Sequence, residues 1–280
     1  MDLIVQAVCL VVIVLLAIWL HKVYPKKISI KTIALIAFFT VAKQVLTLLS
    51  LNIPLFGVPS LRIGISQLPL MIGGVLLGPF AAFFLGLVVD IVGLLVSPSE
   101  YPFLGFTLGT ILCAVLPAII TNRFSQVKEP KKLLWALLVI VWLLNLLALF
   151  SAKEIKFSSE ALLVLNFTNR LLLMLTVTLL LLIIVIVHKF VSNKIKSGSL
   201  AYELWFVAVV VVELIVNIIL TPYWLQVMYG IPYFASLTIR IFKATVMLNV
   251  ESALGYLVLL ACLSLVNKNQ AKGATEQKSE

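Results

Sequence analysis

The feature that most limits the fold of this chain is the repeated return of apolar runs long enough to cross a bilayer, Leu3–Leu20, Thr32–Leu51, Ile63–Leu77, Phe80–Val96, Leu104–Thr121, Leu133–Phe150, Ala161–Val187, Ala201–Leu220 and Ser236–Leu265. A spanning helix needs ~20 mostly apolar residues. In lipid every backbone amide must find its partner within the protein, which leaves helices or a closed barrel. Barrel strands alternate apolar and polar residues over short segments, whereas these runs are continuous. Composition agrees, since 62% of the residues are hydrophobic and only 11% charged, with mean hydropathy +1.19. A water-soluble domain carries about a quarter charged residues. The chain therefore reads as an all-α membrane protein of about nine transmembrane helices. Gly78-Pro79 separates the third run from the fourth as a tight hairpin, and Pro69 is expected to bend the third.

The net charge of +10 serves topology here, because the basic residues gather in short loops. Lys22, Lys26, Lys27 and Lys31, then Arg123, Lys128, Lys131 and Lys132, then Lys189, Lys194 and Lys196, then Lys268, Lys272 and Lys278 all fall on one side by parity. The opposite loops hold only Lys153, Lys156 and the boundary residue Arg62. That asymmetry places the protein in the cell membrane with its N-terminus outside and its C-terminus cytoplasmic. Leu3–Leu20 has Asp2 ahead of it, basic residues after it and no small-residue cleavage site, so it reads as a retained helix, not a signal peptide. Residues 266–280 are polar and aperiodic and read as a disordered tail.

Three outer connections, 52–61, 97–103 and 222–235, are rich in Pro, Gly and aromatics. They fit an interfacial aromatic belt or a lid over an amphipathic ligand, and their gathering on one face favours the lid. Tyr101, Phe103, Trp224 and Tyr229 are the aromatic candidates. A charge within a span costs about 2.5–3.5 kcal/mol on insertion scales, so each should have a partner or a task. Counting ~1.5 Å per residue from the outer ends sets Lys43 level with Asp90, and Glu213 level with Lys243, as two candidate pairs. Arg62 and Arg240 begin spans beneath the aromatic loops, where a guanidinium either snorkels to the interface or grips a carboxylate. Arg170 has three open roles: pairing with Glu213, pairing with Glu251, or lining a cavity. Cys9, Cys113 and Cys262 lie in apolar runs without metal-ligand spacing, and no enzyme motif, metal site or cofactor site is found. Small residues, Gly74 with Gly78, Ala82 with Gly86, and Gly86 with Gly93, mark close helix contacts.

Residues 60–106 resemble the folate-family substrate-binding (S) components of energy-coupling factor (ECF) vitamin transporters, through Leu61-Arg62-Ile63-Gly64, Leu68-Pro69, Gly78-Pro79, Gly86-x3-Asp90-x2-Gly93 and Pro102 through Phe106. A second block, 217–243, is similar through Asn217, Trp224-Leu225, Tyr229-Gly230, Pro232, Arg240 and Lys243. The resemblance implies a six-helix core formed by 32–121 and 201–265. Residues 1–31 would add an N-terminal helix with its basic loop, and 122–200 an inserted helical hairpin. It further implies capture of folate from the outside, with Arg62, Tyr101, Phe103, Trp224, Tyr229 and Arg240 as ligand-binding residues. The loaded protein would then join a transmembrane coupling subunit and two ATPase subunits and topple to release the vitamin inside. Ala34, Ala37 and Ala42 stand where the family docks that coupling subunit with a stricter Ala-x3-Ala. The alternatives are an S component for another vitamin or small metabolite, and a self-sufficient secondary carrier, although no internal repeat of the kind such carriers show is found.

Overall fold

The computed structural model describes residues 2–55, 58–96, 102–123, 130–151, 154–156, 162–164, 166–194 and 202–276. From the N-terminus run α1 (Asp2–Val23), α2 (Ile30–Leu48), β1 (Leu51–Leu55), β2 (Val58–Ile63), α3 (Leu68–Leu77), α4 (Pro79–Val96) and α5 (Leu104–Arg123). An inserted unit follows, made of α6 (Pro130–Ser151), β3 (Glu154–Lys156), β4 (Leu162–Val164) and α7 (Phe167–Lys194). Then α8 (Tyr202–Val212), a π-helical stretch Glu213–Leu220 and α9 (Thr221–Tyr229) form one continuous rod before α10 (Tyr233–Glu276).

The helical membrane fold expected from the sequence is present, with differences in detail. Among the described residues six helices are long and apolar enough to cross a membrane, Leu3–Val23, Ile30–Leu48, Pro79–Val96, Leu104–Arg123, Tyr202–Tyr229 and Ile239–Leu265. The described residues do not confirm the expected count of nine. The third run is too short because its first third is spent on a strand end and a turn, leaving α3 with 10 residues, ~15 Å of a ~30 Å hydrocarbon core. Apolar β-branched residues such as Ile63 and Ile65 suit strand or turn as well as helix. Pro69 does not bend this helix; it sits in its first turn, where its missing N–H costs nothing.

Two antiparallel strand pairs interrupt the all-α expectation, both at connections. β1 pairs with β2, Asn52 opposite Arg62, and β3 pairs with β4, Ile155 opposite Leu163. The connection expected over 222–235 is mostly helix: Pro222 opens α9, and Gly230 ends it with φ +67°. Past Leu265, α10 continues as helix to Glu276, where a disordered tail was expected. Ala, Lys, Gln and Glu are strong helix formers, and together they override the polarity of that stretch.

The core is organised around α5, onto which α3 and α4 pack most closely, with α8 on another side. Glycines permit that approach. A Cβ at Gly74 would collide with the Ala114 carbonyl, and one at Gly86 would lie 2.5 Å from the Ile111 Cα. The added elements lean on this core, α1 against α5 and α4, α6 against α8, and α7 against α10. Lys26, just past α1, reaches the turn between α3 and α4, where its Nζ donates to the Leu77 carbonyl at 2.8 Å. A cation there complements the negative end of α3. Gly78 makes the turn with φ +86°, and the His21 ring packs 5.2 Å from Phe80 beside it.

The glycine contacts give a direct test. Gly86→Leu is expected to lower the Tm of the detergent-solubilised protein by roughly 2–12 °C, from about 1–3 kcal/mol of overpacking. Gly109→Ala, whose Cβ would meet only the Val216 Cγ1 at 3.4 Å, should leave Tm nearly unchanged. Equal melting of the two variants would contradict the close α4–α5 approach.

Candidate functional site

The π-helical stretch brings the site together. A run of i→i+5 bonds is rare and marks functional positions in many helices; here the Thr221 Oγ1 donates to the Val216 carbonyl at 2.6 Å. Along this stretch Glu213 and Asn217 fall on one side, and the Asn217 Nδ2 donates to the Glu213 Oε1 at 2.9 Å. Asn217 also forms a reciprocal amide pair with Gln67, with Asn217 Nδ2 to Gln67 Oε1 at 3.1 Å and Gln67 Nε2 to Asn217 Oδ1 at 3.2 Å. Gln67 stands immediately before the half-length α3, so this amide pair joins the start of α3 to the π-helical stretch.

From α10, Lys243 and Arg240 lie within electrostatic reach of Glu213. Arg240 is buried, and its Nε donates to the Ser236 Oγ at 3.3 Å one turn earlier. Glu251, two turns further along α10, also faces Glu213, with the two carboxyl groups within hydrogen-bonding reach. Both glutamates are 1% exposed. Lipid cannot solvate such charges, so they must answer one another inside the protein.

A second polar group lies between α2, α4 and α5. Asp90 accepts hydrogen bonds from the Thr107 hydroxyl at 2.7 Å and the Thr110 hydroxyl at 3.2 Å. The Lys43 Nζ lies 4.0 Å from the position of a Gly93 Cβ, one turn beyond Asp90. Gln44 holds the same face, its Nε2 donating to the Val89 carbonyl at 2.9 Å. Cys113 on α5 sits within electrostatic reach of both groups, feeling Glu213 and Glu251 as well as Lys43 and Lys243.

Aromatic rings form the third component. Phe103 and Trp224 are buried, their rings 5.8 Å apart at 63°, and Phe106 lies 5.8 Å from Phe103. Gly105 permits the contact, since a Cβ there would meet the Trp224 ring at 2.6 Å. The Trp224 Nε1 is buried and has no hydrogen-bond partner, which leaves a donor available to a ligand. Other expected residues fall elsewhere. Tyr229 is exposed at the end of α9, and Arg170 lies over the Phe150 ring at 6.0 Å. Arg62 belongs to β2 opposite Asn52, its side chain lying outside the described residues, as does all of Tyr101. Ala34 and Ala37 are exposed on α2 and Ala42 is half-buried.

Residues 31–155 match the family described as ECF transporter, substrate-specific component. Over that segment the chain is similar to ECF substrate-specific components. The resemblance carried by residues 60–106 is borne out, while the block 217–243 lies beyond the matched segment. The folate transporter FolT of Clostridium novyi (strain NT) is 31% identical over 88 residues, which are 31% of this chain and 50% of that relative. The chain thus spans about half the length of the curated relative it matches. A solved structure, the crystal structure of FolT bound with folic acid, is 19% identical and aligns over 82% of this chain and 93% of that one, with a TM-score of 0.47, a loose likeness. The multi-pass membrane character of the chain is in keeping with that similarity.

Gln67, Asn217 and Glu251 were not among the expected site residues. Their common signal is a polar side chain inside an otherwise apolar run. The amide pair can be tested on its own: Asn217→Ala strands the Gln67 amide and one Glu213 oxygen, and should cost about 2–4 kcal/mol. Replacing both amides by Leu should be milder than the sum of the single changes. Additive losses in thermal melting would show that the two side chains do not interact.

Proposed function

We propose that this protein is the substrate-capture subunit of an ECF-type vitamin importer, binding folate from the outer side of the cell membrane. The observation that carries the reading is the buried Phe103–Trp224 pair, with its unpartnered indole donor, in a protein whose nearby α10 buries Arg240 and half-buries Lys243. A pterin ring calls for aromatic walls and a hydrogen-bond donor. The carboxylates of a glutamyl tail call for cations, and a guanidinium offers them a planar fork. The name of the Clostridium novyi relative points to the same vitamin.

On this reading Arg240, Phe103 and Trp224 hold the ligand from below and beside it. Arg62 and Tyr101, from the outer connections, complete the grip, and Tyr229 lies at its rim. The β1–β2 hairpin and the α9–α10 turn form the lid. Lys43 with Asp90, and Glu213 with Lys243, fix the helices that line the site. The chain itself supplies no ATP site, so release inside needs a membrane coupling subunit and two ATPase subunits. The coupling subunit would dock on the apolar exposed side of α2, where Ala34 and Ala37 are exposed and Ala42 is half-buried. The N-terminus is assigned to the outside and the C-terminus to the cytoplasm by the loop charges.

The purified chain, without ATPases, should bind labelled folate. Arg240→Ala should weaken that binding roughly 10- to 100-fold, the worth of about 1.5–3 kcal/mol for a charged hydrogen bond, and Arg62→Ala should weaken it as well. Tight binding of a different vitamin with none of folate would overturn the substrate assignment. Normal binding by both arginine variants would remove the carboxylate clamp.

A further inference from the structure

The chemistry of the four-charge group around Glu213 is unbalanced as a set of fixed ions. Glu213 has three neighbours that favour its charge, Lys243, Asn217 and Arg240. Glu251 has fewer: Lys243 is the cation acting on it, and the Glu213 carboxyl opposes a second negative charge. The Glu213 Oε2 and the Glu251 Oε2 are both buried and both lack a hydrogen-bond partner, although the two carboxyl groups lie within hydrogen-bonding reach of each other. A carboxylate oxygen only accepts, so two ionised groups cannot satisfy one another. One proton between them resolves both orphans at once.

On its own helix Glu251 is faced by Lys243, with Arg240 beyond it; the π-helical stretch presents Glu213, α5 presents Cys113, and Lys43 of α2 reaches Cys113 from the other side. From α8, Glu203 and Tyr202 face Tyr256 further along. The α3 sequence carries no titratable side chain, and Arg170 of α7 lies over Phe150. Trp205 donates to the Glu251 and Ser252 carbonyls at 3.4 and 3.2 Å, fixing the backbone at Glu251 and leaving its carboxyl group to Glu213.

We propose that Glu213 and Glu251 form a proton-binding site in the membrane interior, Glu251 carrying the proton and donating it to Glu213, so that the four-charge group stands at net +1 and suits an anionic, carboxylate-bearing ligand. The proton belongs to the pair, as in any two carboxyls this close. The part concerning the ligand rests on the capture function above; the proton site does not.

The experiment is infrared spectroscopy of the ligand-free, purified chain at neutral pH, with Tm measured alongside. The carbonyl band of a protonated carboxylic acid should be present in the wild type and lost in Glu251→Gln. Because glutamine is neutral and can still donate to Glu213, Glu251→Gln should move Tm by less than ~2 °C, whereas Glu213→Gln removes the only ionised carboxylate beside two cations and should lower Tm by on the order of 10 °C. A wild type without the band, or a band that survives in Glu251→Gln, overturns the proposal, as does a large loss of Tm in Glu251→Gln. If Glu213→Gln fails to fold, the wild-type and Glu251→Gln spectra still decide. A band present in a protein that binds no folate would leave the proton site standing and remove the folate assignment.

Discussion

Lipid offers no hydrogen bonds, and the architecture follows from how this chain meets that demand at Glu213. A carboxylate held 1% exposed in the membrane interior requires Asn217 on its own rod and Lys243 and Arg240 from α10. Those partners fix the rotation of the π-helical stretch against α10. Asn217 in turn needs Gln67, which fixes where α3 begins. Trp205, wedged where Gly255 leaves room, secures α8 to α10 below. The aromatic pair Phe103–Trp224 rests on the helices so placed. Glycines do the complementary work on the other side, where Gly74 and Gly86 bring α3 and α4 onto α5.

The structure thus divides its tasks by chemistry. Close backbone contact through small residues makes a rigid slab of α3, α4 and α5. Polar partnership makes a second body of α8, the π-helical stretch and α10. The candidate site lies where the two meet, at Gln67 and Asn217. The inserted α6–α7 unit leans on α8 and α10, the second body, while α1 and Lys26 hold the slab.

Much of this was legible in the sequence because the bilayer imposes a length. Runs such as Pro79–Val96 and Leu104–Arg123 have few alternatives once they exceed ~18 apolar residues. The ambiguous run was Ile63–Leu77, whose residues suit strand, turn and helix alike, so that only pairing of β2 with β1 decides where helix begins. Depth counting set Glu213 level with Lys243, although the count to Glu213 runs through the π-helical stretch. It did not match Glu251 with Glu213. The Gln67–Asn217 pair was invisible because nothing local announces a contact between residues 150 positions apart. The π-helical stretch has no sequence signature of its own.

That separation of 150 residues also governs the order of events as the chain is made. Domains and helices emerge N-terminus first, so Gln67 enters the membrane long before Asn217 exists. Until then the start of α3 must rely on temporary partners, water or the insertion machinery. Glu213 waits less, since Arg240 and Lys243 follow within about thirty residues, and its charge and theirs arrive close together. The binding half of the molecule is therefore the last to set, and a ribosome stalled before α10 would release a slab without a site.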